Sequence, residues 1–281
     1  MNSRKTARFL RAWQVLMVLG LFTFWHVATD PALLPPVYFD NPNKAAFFFG
    51  QPLEVLGRIW NWFASGTIYA HLWVTLMETA LAFVLGTVSG LAVGLWLALN
   101  PTAAALFDPY IKAVNSMPRV ILAPIFGVWF GLGMASKVAL GVTLVFFIVF
   151  FNVYQGVKEV SPTVLANARM LGMSDRQLMR HVYWPSALSW MFSSLHTSVG
   201  FAVVGAVVGE YLGSAAGLGY LIQQAEGVFD VAGVFAGMVV LAAFVIAIDW
   251  LVTMVSMTMT KAASTNMPAN TPATSNTPSA C

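Results

Sequence analysis

The sequence predicts an all-α, polytopic membrane bundle of about six transmembrane helices with a helical elbow in the cytoplasm, and three observations carry that prediction. First, 58% of the 281 residues are hydrophobic and 9% charged, with a mean hydropathy of +0.75, whereas an average soluble domain carries roughly 25% charged residues. This inventory cannot clothe a water-facing surface, which excludes a single soluble domain, a disordered chain and a disulfide-stapled secreted one. Second, apolar runs of about 20 residues, enough to cross a bilayer, recur along the chain. Third, one polar insert, residues 155–185, carries helix signals of its own. The net charge of +3 rests on only 14 Lys and Arg, too few for the clustered cations of a phosphate-tracking groove. Membrane lipid is therefore an expected partner and nucleic acid is not. The single cysteine, Cys281, permits neither an internal disulfide nor a Cys-rich metal site.

In chain order, residues 9–28 follow the basic cluster Arg4, Lys5, Arg8 and Arg11. His26 stands where a signal peptidase wants a small residue, so residues 1–28 are expected to hold a short N-terminus and an uncleaved first span. Residues 29–71 are more polar and broken by Pro31, Pro35, Pro36, Pro42 and Pro52. This segment is assigned to the periplasm, with an interfacial helix over 52–63 that puts Trp60, Trp62 and Phe63 at headgroup level. The core follows over residues 72–258. Its first span, 72–99, ends at Asn100-Pro101, and the next, 103–130, contains Pro109, Pro118 and Pro124. Pro118 and Pro124 remove backbone donors and should bend that span. Spans at 138–154, 187–208 and 233–257 complete the set, and residues 259–281 read as a disordered tail by composition.

Charge asymmetry orients the bundle. With the N-terminus in the cytoplasm, the N-terminal cluster, Lys158, Arg169, Arg176, Arg180 and Lys261 lie inside, and Lys112 falls near that side. Lys44, Arg58, Lys137 and Arg119 fall outside or near the outer surface. The excess of cations inside places both termini in the cytoplasm.

Within the spans, Gly86, Gly90 and Gly94 share one helix face, where small residues let backbones approach closely. Either a moving helix contact or ordinary tight packing accounts for them. Ionisable groups in a span are costly and therefore candidates for function. Glu78 sits just inside the outer end of its span, as a snorkelling or paired residue. Glu210 sits at the outer end of the fifth span. Asp249 lies in the inner half of the last, with a Trp or Ser of a neighbouring helix as its expected partner. The strip Ser193, Ser194, His196, Thr197 and Ser198 gives the fifth span a polar face. Ser193, Thr197 and Gly200–Phe201 recur on it at helical spacing, which makes it the candidate pathway lining; hydroxyls bonding their own backbone are the alternative. Metal-ligand spacings and nucleophile–base pairs are absent from the sequence, so no metal site and no catalytic residue is expected.

The insert 155–185 is the most informative segment. Ser161 and Pro162 suit the start of a short helix, and Gly172 suits its left-handed termination. Ser174 with Gln177 three residues on makes a capping box for a second helix, and Pro185 marks re-entry into the membrane. A compact helical elbow of this kind is either a docking element or simply a well-folded loop. Ala166-Asn167-Ala168, then three residues, Gly172, nine residues and Val182-Tyr183-Trp184-Pro185 resemble the E-A-A-x(3)-G-x(9)-I-x-L-P signature of permease subunits of bacterial ABC importers. Ala166 stands in place of Glu, Asn167 in place of Ala and Trp184 in place of Leu. Met117-Pro118, Pro124, the run from Trp129 to Gly133, Ser136-Lys137, Phe146-Phe147, Gly156-Val157, Glu210 and Gly217-Leu218-Gly219 extend the resemblance toward the nitrate, sulfonate and taurine branch.

The resemblance implies a permease subunit, not itself an enzyme, that forms the translocation pathway for a small, anionic organic or inorganic solute. It also implies a cytoplasmic ABC ATPase on the elbow, a periplasmic substrate-binding protein at the outer mouth, a second permease subunit as a homodimer partner, and the bacterial inner membrane as location. No cofactor is bound directly, and ATP is used by the partner. On this resemblance the ATPase-docking residues are Ala166, Asn167, Ala168, Arg169, Gly172, Asp175, Arg176, Arg180 and Pro185, and Glu210 matches an acidic position that serves gating or binding-protein contact. The chain itself lacks a GKS/GKT phosphate loop. Two other readings remain: an ion-coupled carrier acting alone through Asp249 or Glu78, or an intramembrane hydrolase pairing His196 with Ser193 or Ser194.

Overall fold

The computed structural model describes residues 3–30 and 44–265, with side chains over 9–30 and 45–254. Among these residues there are α-helices and short turns and no strand. Helices α1 (Ser3–Thr29), α2 (Lys44–Phe49) and α3 (Pro52–Ser65) precede the long α4 (Thr67–Leu99). Next come α5 (Pro101–Asn115), α6 (Leu122–Phe130) and α7 (Met134–Lys158). The elbow comprises α8 (Pro162–Met170) and α9 (Asp175–Leu178). The chain ends with α10 (Trp184–Leu212), α11 (Leu218–Gly227) and α12 (Val231–Thr265). Among the described residues, five helices are long and apolar enough to span a bilayer, and α5 with the segment Arg119–Phe130 forms a sixth if the pair, bent by 78°, counts as one. The first four of the five prolines assigned to the 29–71 segment lie outside the described residues, as do residues 266–281. α12 continues through Thr265, so the first residues assigned to the tail are helical.

Of the two prolines expected to bend this span, Pro118 does so and Pro124 needs correction. The bend falls at Ser116–Pro118, where Pro118 is extended (ψ 102°), as residues lacking an N–H favour at helix ends. Pro124 does not bend its helix, because it sits in the first turn of α6, where an N–H has no intrahelical acceptor to lose. At the opposite junction the Asn100 side chain accepts the Ala103 N–H at 3.1 Å and Pro101 starts α5, which explains the sharp turn out of α4.

α4, α7 and α10 pack against one another more extensively than any other elements. Their seam is built from absent side chains. A Cβ at Gly90 would lie 2.8 Å from the Phe146 carbonyl, one at Gly86 2.6 Å from Val145 Cβ, and one at Gly94 3.0 Å from the Phe150 carbonyl. The third helix closes the same way: a Cβ at Gly205 would lie 2.4 Å from Gly141 Cα, and one at Gly141 2.5 Å from Ala82 Cβ. Val145, Val149, Val153 and Ala202 fill the seam and are fully buried. Lipid tails are as apolar as these side chains, so close van der Waals contact, not solvent exclusion, holds such a trio together. A second cluster, Ile68, Leu218, Leu221 and Val240, joins α4, α11 and α12. α1 lies at the periphery with most of its apolar side chains exposed. It is fastened through Trp25, whose Nε1 donates to the Phe49 carbonyl at 3.0 Å and whose ring lies 5.5 Å from that of Phe235.

Candidate functional site

Three polar assemblies interrupt this apolar bundle. The elbow connects α7 to α10. α8 starts at Pro162 and stops at Gly172, whose φ of +78° is a conformation that only glycine adopts at little cost. The stop is a six-residue Schellman closure: the Met173 N–H donates to the Ala168 carbonyl at 3.1 Å and the Gly172 N–H to the Arg169 carbonyl at 3.0 Å. Ala168 is buried beneath it. Gln177 then accepts from the Ser174 N–H at 2.8 Å and from its hydroxyl at 3.1 Å, which fixes the start of α9.

α9 is not a separate helix. It runs through a π-helical turn, Met179–Tyr183, directly into α10, and one span covers Asp175–Leu212. The Trp184 N–H bonds five residues back to the Met179 carbonyl, and Pro185 follows with no N–H to give. The wide turn lets the helix continue past a proline that would otherwise break it. At the same end the Ser186 hydroxyl donates to the Gly156 carbonyl at 2.8 Å, and the Trp190 indole packs so closely on Gly156 that a Cβ there would fall 2.2 Å from it. Of the elbow residues singled out from the sequence, Ala166, Asn167, Arg169, Gly172, Asp175, Arg176, Arg180 and Pro185 are exposed and Ala168 is buried. Sequence reasoning missed Val164, Met170 and Leu171. The last two are each 80% exposed at the end of α8, where no core covers them. Their signal was an adjacent apolar pair directly before the helix-ending Gly172.

The second assembly bridges α10 and α12. His196 Nδ1 and Asp249 Oδ1 lie 3.1 Å apart, so the partner of Asp249 is His196 and not a Trp or Ser. Imidazole can reach across the gap between the helices at this level. The candidate pathway face divides. Ser193, His196, Thr197 and Phe201 are exposed, and a cleft of about 430 Å³ runs beside His196, Thr197, Gly200, Phe201, Leu241 and Val245. Ser194 and Ser198 are buried, and their hydroxyls donate to the Met191 and Ser194 carbonyls at 2.7 and 2.9 Å. They satisfy themselves on their own helix and present nothing to a solute. A hydrolase built on Ser194 has therefore already lost its nucleophile's hydrogen bond to backbone.

The third assembly lies at the other end of α10, about 25 residues and roughly 38 Å from Pro185 at 1.5 Å per residue. Glu210 is buried, not presented to the outside: one carboxylate oxygen accepts the Thr75 hydroxyl at 2.6 Å and the other the Gly219 N–H at 2.7 Å. Thr75 Oγ1 accepts in turn from the Leu218 N–H at 2.9 Å, and His71 Nδ1 accepts from the Gly217 N–H at 3.0 Å. The Gly217-Leu218-Gly219 run thus wraps a carboxylate. A Cβ at Gly217 (φ +114°) would lie 2.1 Å from the Glu210 carboxyl carbon, and one at Gly219 2.3 Å from the Val207 carbonyl. Lys137, assigned from sequence to the outer surface, is instead fully buried. Its ammonium donates to the Leu132 carbonyl and interacts with Glu78 and Glu210. A buried charge needs compensating partners, and this ammonium has a backbone carbonyl directly and two acidic groups in its electrostatic surroundings. Among the described residues no group of His, Cys, Asp and Glu is arranged to hold a metal ion.

Comparison with known proteins identifies this architecture. Residues 90–261 match the family described as binding-protein-dependent transport system inner membrane component. A probable ABC transporter permease protein of Haemophilus influenzae is 30% identical over 247 residues, covering 86% of this chain and 96% of that protein. The taurine transport system permease protein of Escherichia coli is 28% identical over 233 residues, 82% of this chain and 83% of that one. A Bacillus subtilis protein named for aliphatic sulfonate transport is 32% identical over 178 residues, 63% of this chain and 64% of that one. In fold, the chain is similar to a subunit of the inward-facing MetNI methionine ABC transporter, with a TM-score of 0.59 at 20% identity over 69% of this chain and 95% of that one. A lone ion-coupled carrier and an intramembrane hydrolase are not favoured by these likenesses, and the chain belongs to the inner-membrane component family of binding-protein-dependent transport systems, as a permease subunit of an ABC importer.

Proposed function

We propose that this permease works as one of two copies around a shared pathway, that its elbow over residues 161–185 docks a cytoplasmic ABC ATPase, and that a periplasmic binding protein delivers a small anion to its outer mouth. The observation that carries the docking role is the elbow's surface. A knob fastened by the Gly172 closure exposes Val164, Met170 and Leu171, and Arg169, Asp175, Arg176 and Arg180 of the same elbow are exposed as well. Apolar anchors ringed by charge are the composition of a protein interface. ATP is consumed by the partner. The pathway runs along the exposed face of Ser193, His196, Thr197 and Phe201, because a half-exposed His196–Asp249 pair is tolerated beside water or protein and not beside lipid tails. The names of the sulfonate and taurine relatives support a sulfonate as solute. The membrane is the bacterial inner membrane, and the cation excess of the N-terminal cluster, elbow and Lys261 puts both termini in the cytoplasm.

The test is purification from native membranes, identification of the copurifying ATPase, and taurine uptake into proteoliposomes with ATP and the cognate binding protein. Gly172→Leu is expected to retain the fold and to uncouple hydrolysis from uptake. Normal stimulated hydrolysis and transport in that variant would remove the docking assignment.

A further inference from the structure

We propose that Arg119, at the bend between α5 and α6, is a binding site on the translocation pathway for the oxyanion head group of the solute, a sulfonate on the reading above, on which this inference rests. Its first support is depth. The charge asymmetry of the sequence put Arg119 near the outer surface, yet its guanidinium carbon lies 4.5 Å from the ring centroid of Phe147, at the midpoint of the span α7. A cation at that level faces water or protein and not lipid tails. Its second support is the backbone beside it. The chain leaves the helix over Ser116–Pro118, with Pro118 extended (ψ 102°), and Asn115, Ser116, Met117 and Pro118 are all exposed. Non-helical backbone at membrane depth persists only inside protein or against a water-filled cavity, and the described residues do not cover these four.

The third support is the way the guanidinium is held. Its Nη2 donates to the Asn115 side-chain oxygen, its flat face sits over the Phe147 ring, and its Nε is buried without a hydrogen-bond partner among the described residues. No carboxylate among those residues pairs with it, whereas Arg58 is paired with Asp230 and Lys112 with Asp108, each at 2.7 Å. An amide and a ring orient a cation without cancelling its charge. A carboxylate would cancel it and close the site to an anion. Arg119 is only partly buried, and the free N–H groups of a guanidinium form a planar fork that matches two oxygens of an oxyanion. One charge without a full ring of donors suits passage and not capture, because a transported ion must also leave. A pathway takes more than one wall, and the bend adds this one to the α10 face proposed above.

The test uses the full importer, with its ATPase and binding protein, in proteoliposomes, and copurification of the ATPase checks the assembly of each variant. Arg119→Gln is expected to lower taurine uptake ~10-fold, the scale of one hydrogen bond to a charged group. Asn115→Asp is the decisive variant, because it keeps the arginine, its ring contact and its hydrogen bond and adds only the charge that cancels it. It is expected to lower uptake as far as Arg119→Gln. A merely structural Arg119 would tolerate the closer pair, so parent-like uptake in Asn115→Asp overturns the proposal. A second measurement needs no transported solute. Ser116→Cys, with Cys281→Ser, puts the permease's one thiol on the exposed bend. Its rates of reaction with methanethiosulfonates carrying a sulfonate or a trimethylammonium group are then compared. The preference for the anionic reagent should be at least about threefold higher with Arg119 than with Arg119→Gln, as a local cation concentrates anions. An unchanged preference, or a thiol that neither reagent reaches, overturns the proposal. Were the parent not to take up taurine, the sulfonate reading would fall, and the thiol rates would still decide the site.

Discussion

Gly90→Ala is the sharpest single perturbation of the bundle. The added methyl would lie 2.8 Å from the Phe146 carbonyl oxygen, 3.0 Å from Val149 Cβ and 3.1 Å from the Phe150 nitrogen, where ordinary contact begins at 3.4 Å. Two of these three atoms are backbone, so no rotamer change relieves them and α4 must move off α7 by about 0.6 Å. A gap of about 0.5–1 Å forfeits a quarter to a half of each contact's dispersion energy, and the loss extends to Val145, Val149 and Val153, all fully buried in the same seam. Overpacking of this kind costs about 1–3 kcal/mol. The control is Gly20→Ala on α1, where a Cβ meets nothing within 4 Å. There the helix-propensity gain of alanine over glycine, up to about 1 kcal/mol, is all that remains. Equilibrium unfolding of both variants in one detergent or bilayer-mimetic system separates the effects. If Gly90→Ala proves as stable as Gly20→Ala, the seam is not held by close backbone approach and the packing argument fails.

Three further expectations follow from individual contacts. Gly172→Ala should destabilise the elbow by about 1 kcal/mol, because φ is +78° but a Cβ there touches nothing; Gly172→Asn should cost less, and amide hydrogen exchange at Met173 reads both. Asp230 accepts the Gly233 N–H at 3.0 Å and pairs with Arg58 at 2.7 Å. Asp230→Ala should therefore cost about 0.5–2 kcal/mol as a lost helix cap, while Arg58→Ala, removing only a partly exposed ion pair, should cost less than about 1 kcal/mol; equal losses in thermal unfolding would refute the cap. Asp249→Asn should change stability by no more than about 1 kcal/mol, since its pair with His196 is half-exposed, yet slow solute uptake if that face lines the pathway; unchanged uptake rates would move the pathway elsewhere.

What was legible in the sequence was what a single helix encodes. Gly172 could be read as a helix stop, Ser174 and Gln177 as a start, and the four-residue spacing of Gly86, Gly90 and Gly94 as a face, because each signal lies within a few residues of the structure it makes. The buried cluster was not legible, since its members lie on four elements and Thr75 and Glu210 are 135 residues apart. Lys137 read as an outer surface charge because a sequence shows the cation and not the two carboxylates waiting for it. The same limit hid His196 as the partner of Asp249, 53 residues away. Nothing local picks Gly141 and Gly205 out from the other glycines of α7 and α10, and only the packing of these helices against each other and against Ala82 of α4 reveals why neither carries a side chain. The bend at Pro118 was readable in kind. The harmlessness of Pro124 depended on where α6 begins, which that very bend decides.

The distribution of these features along α7 and α10 has a mechanical consequence. Polar contacts sit at the two ends of the pair, Ser186 on Gly156 at the elbow and the buried Lys137 and Glu210 with their hydrogen bonds at the other, while the middle is an apolar seam of small and branched residues. The elbow's second helix enters α10 without a break, through a π-helical turn that accommodates Pro185. Had the chain used an α-helical turn there, the proline would have forced a kink, and motion of the elbow would have been absorbed at that joint. The wider turn keeps the rod continuous where the elbow joins α10. Tight packing makes such a rod change position as a unit, because interdigitated surfaces have discrete arrangements and do not deform smoothly.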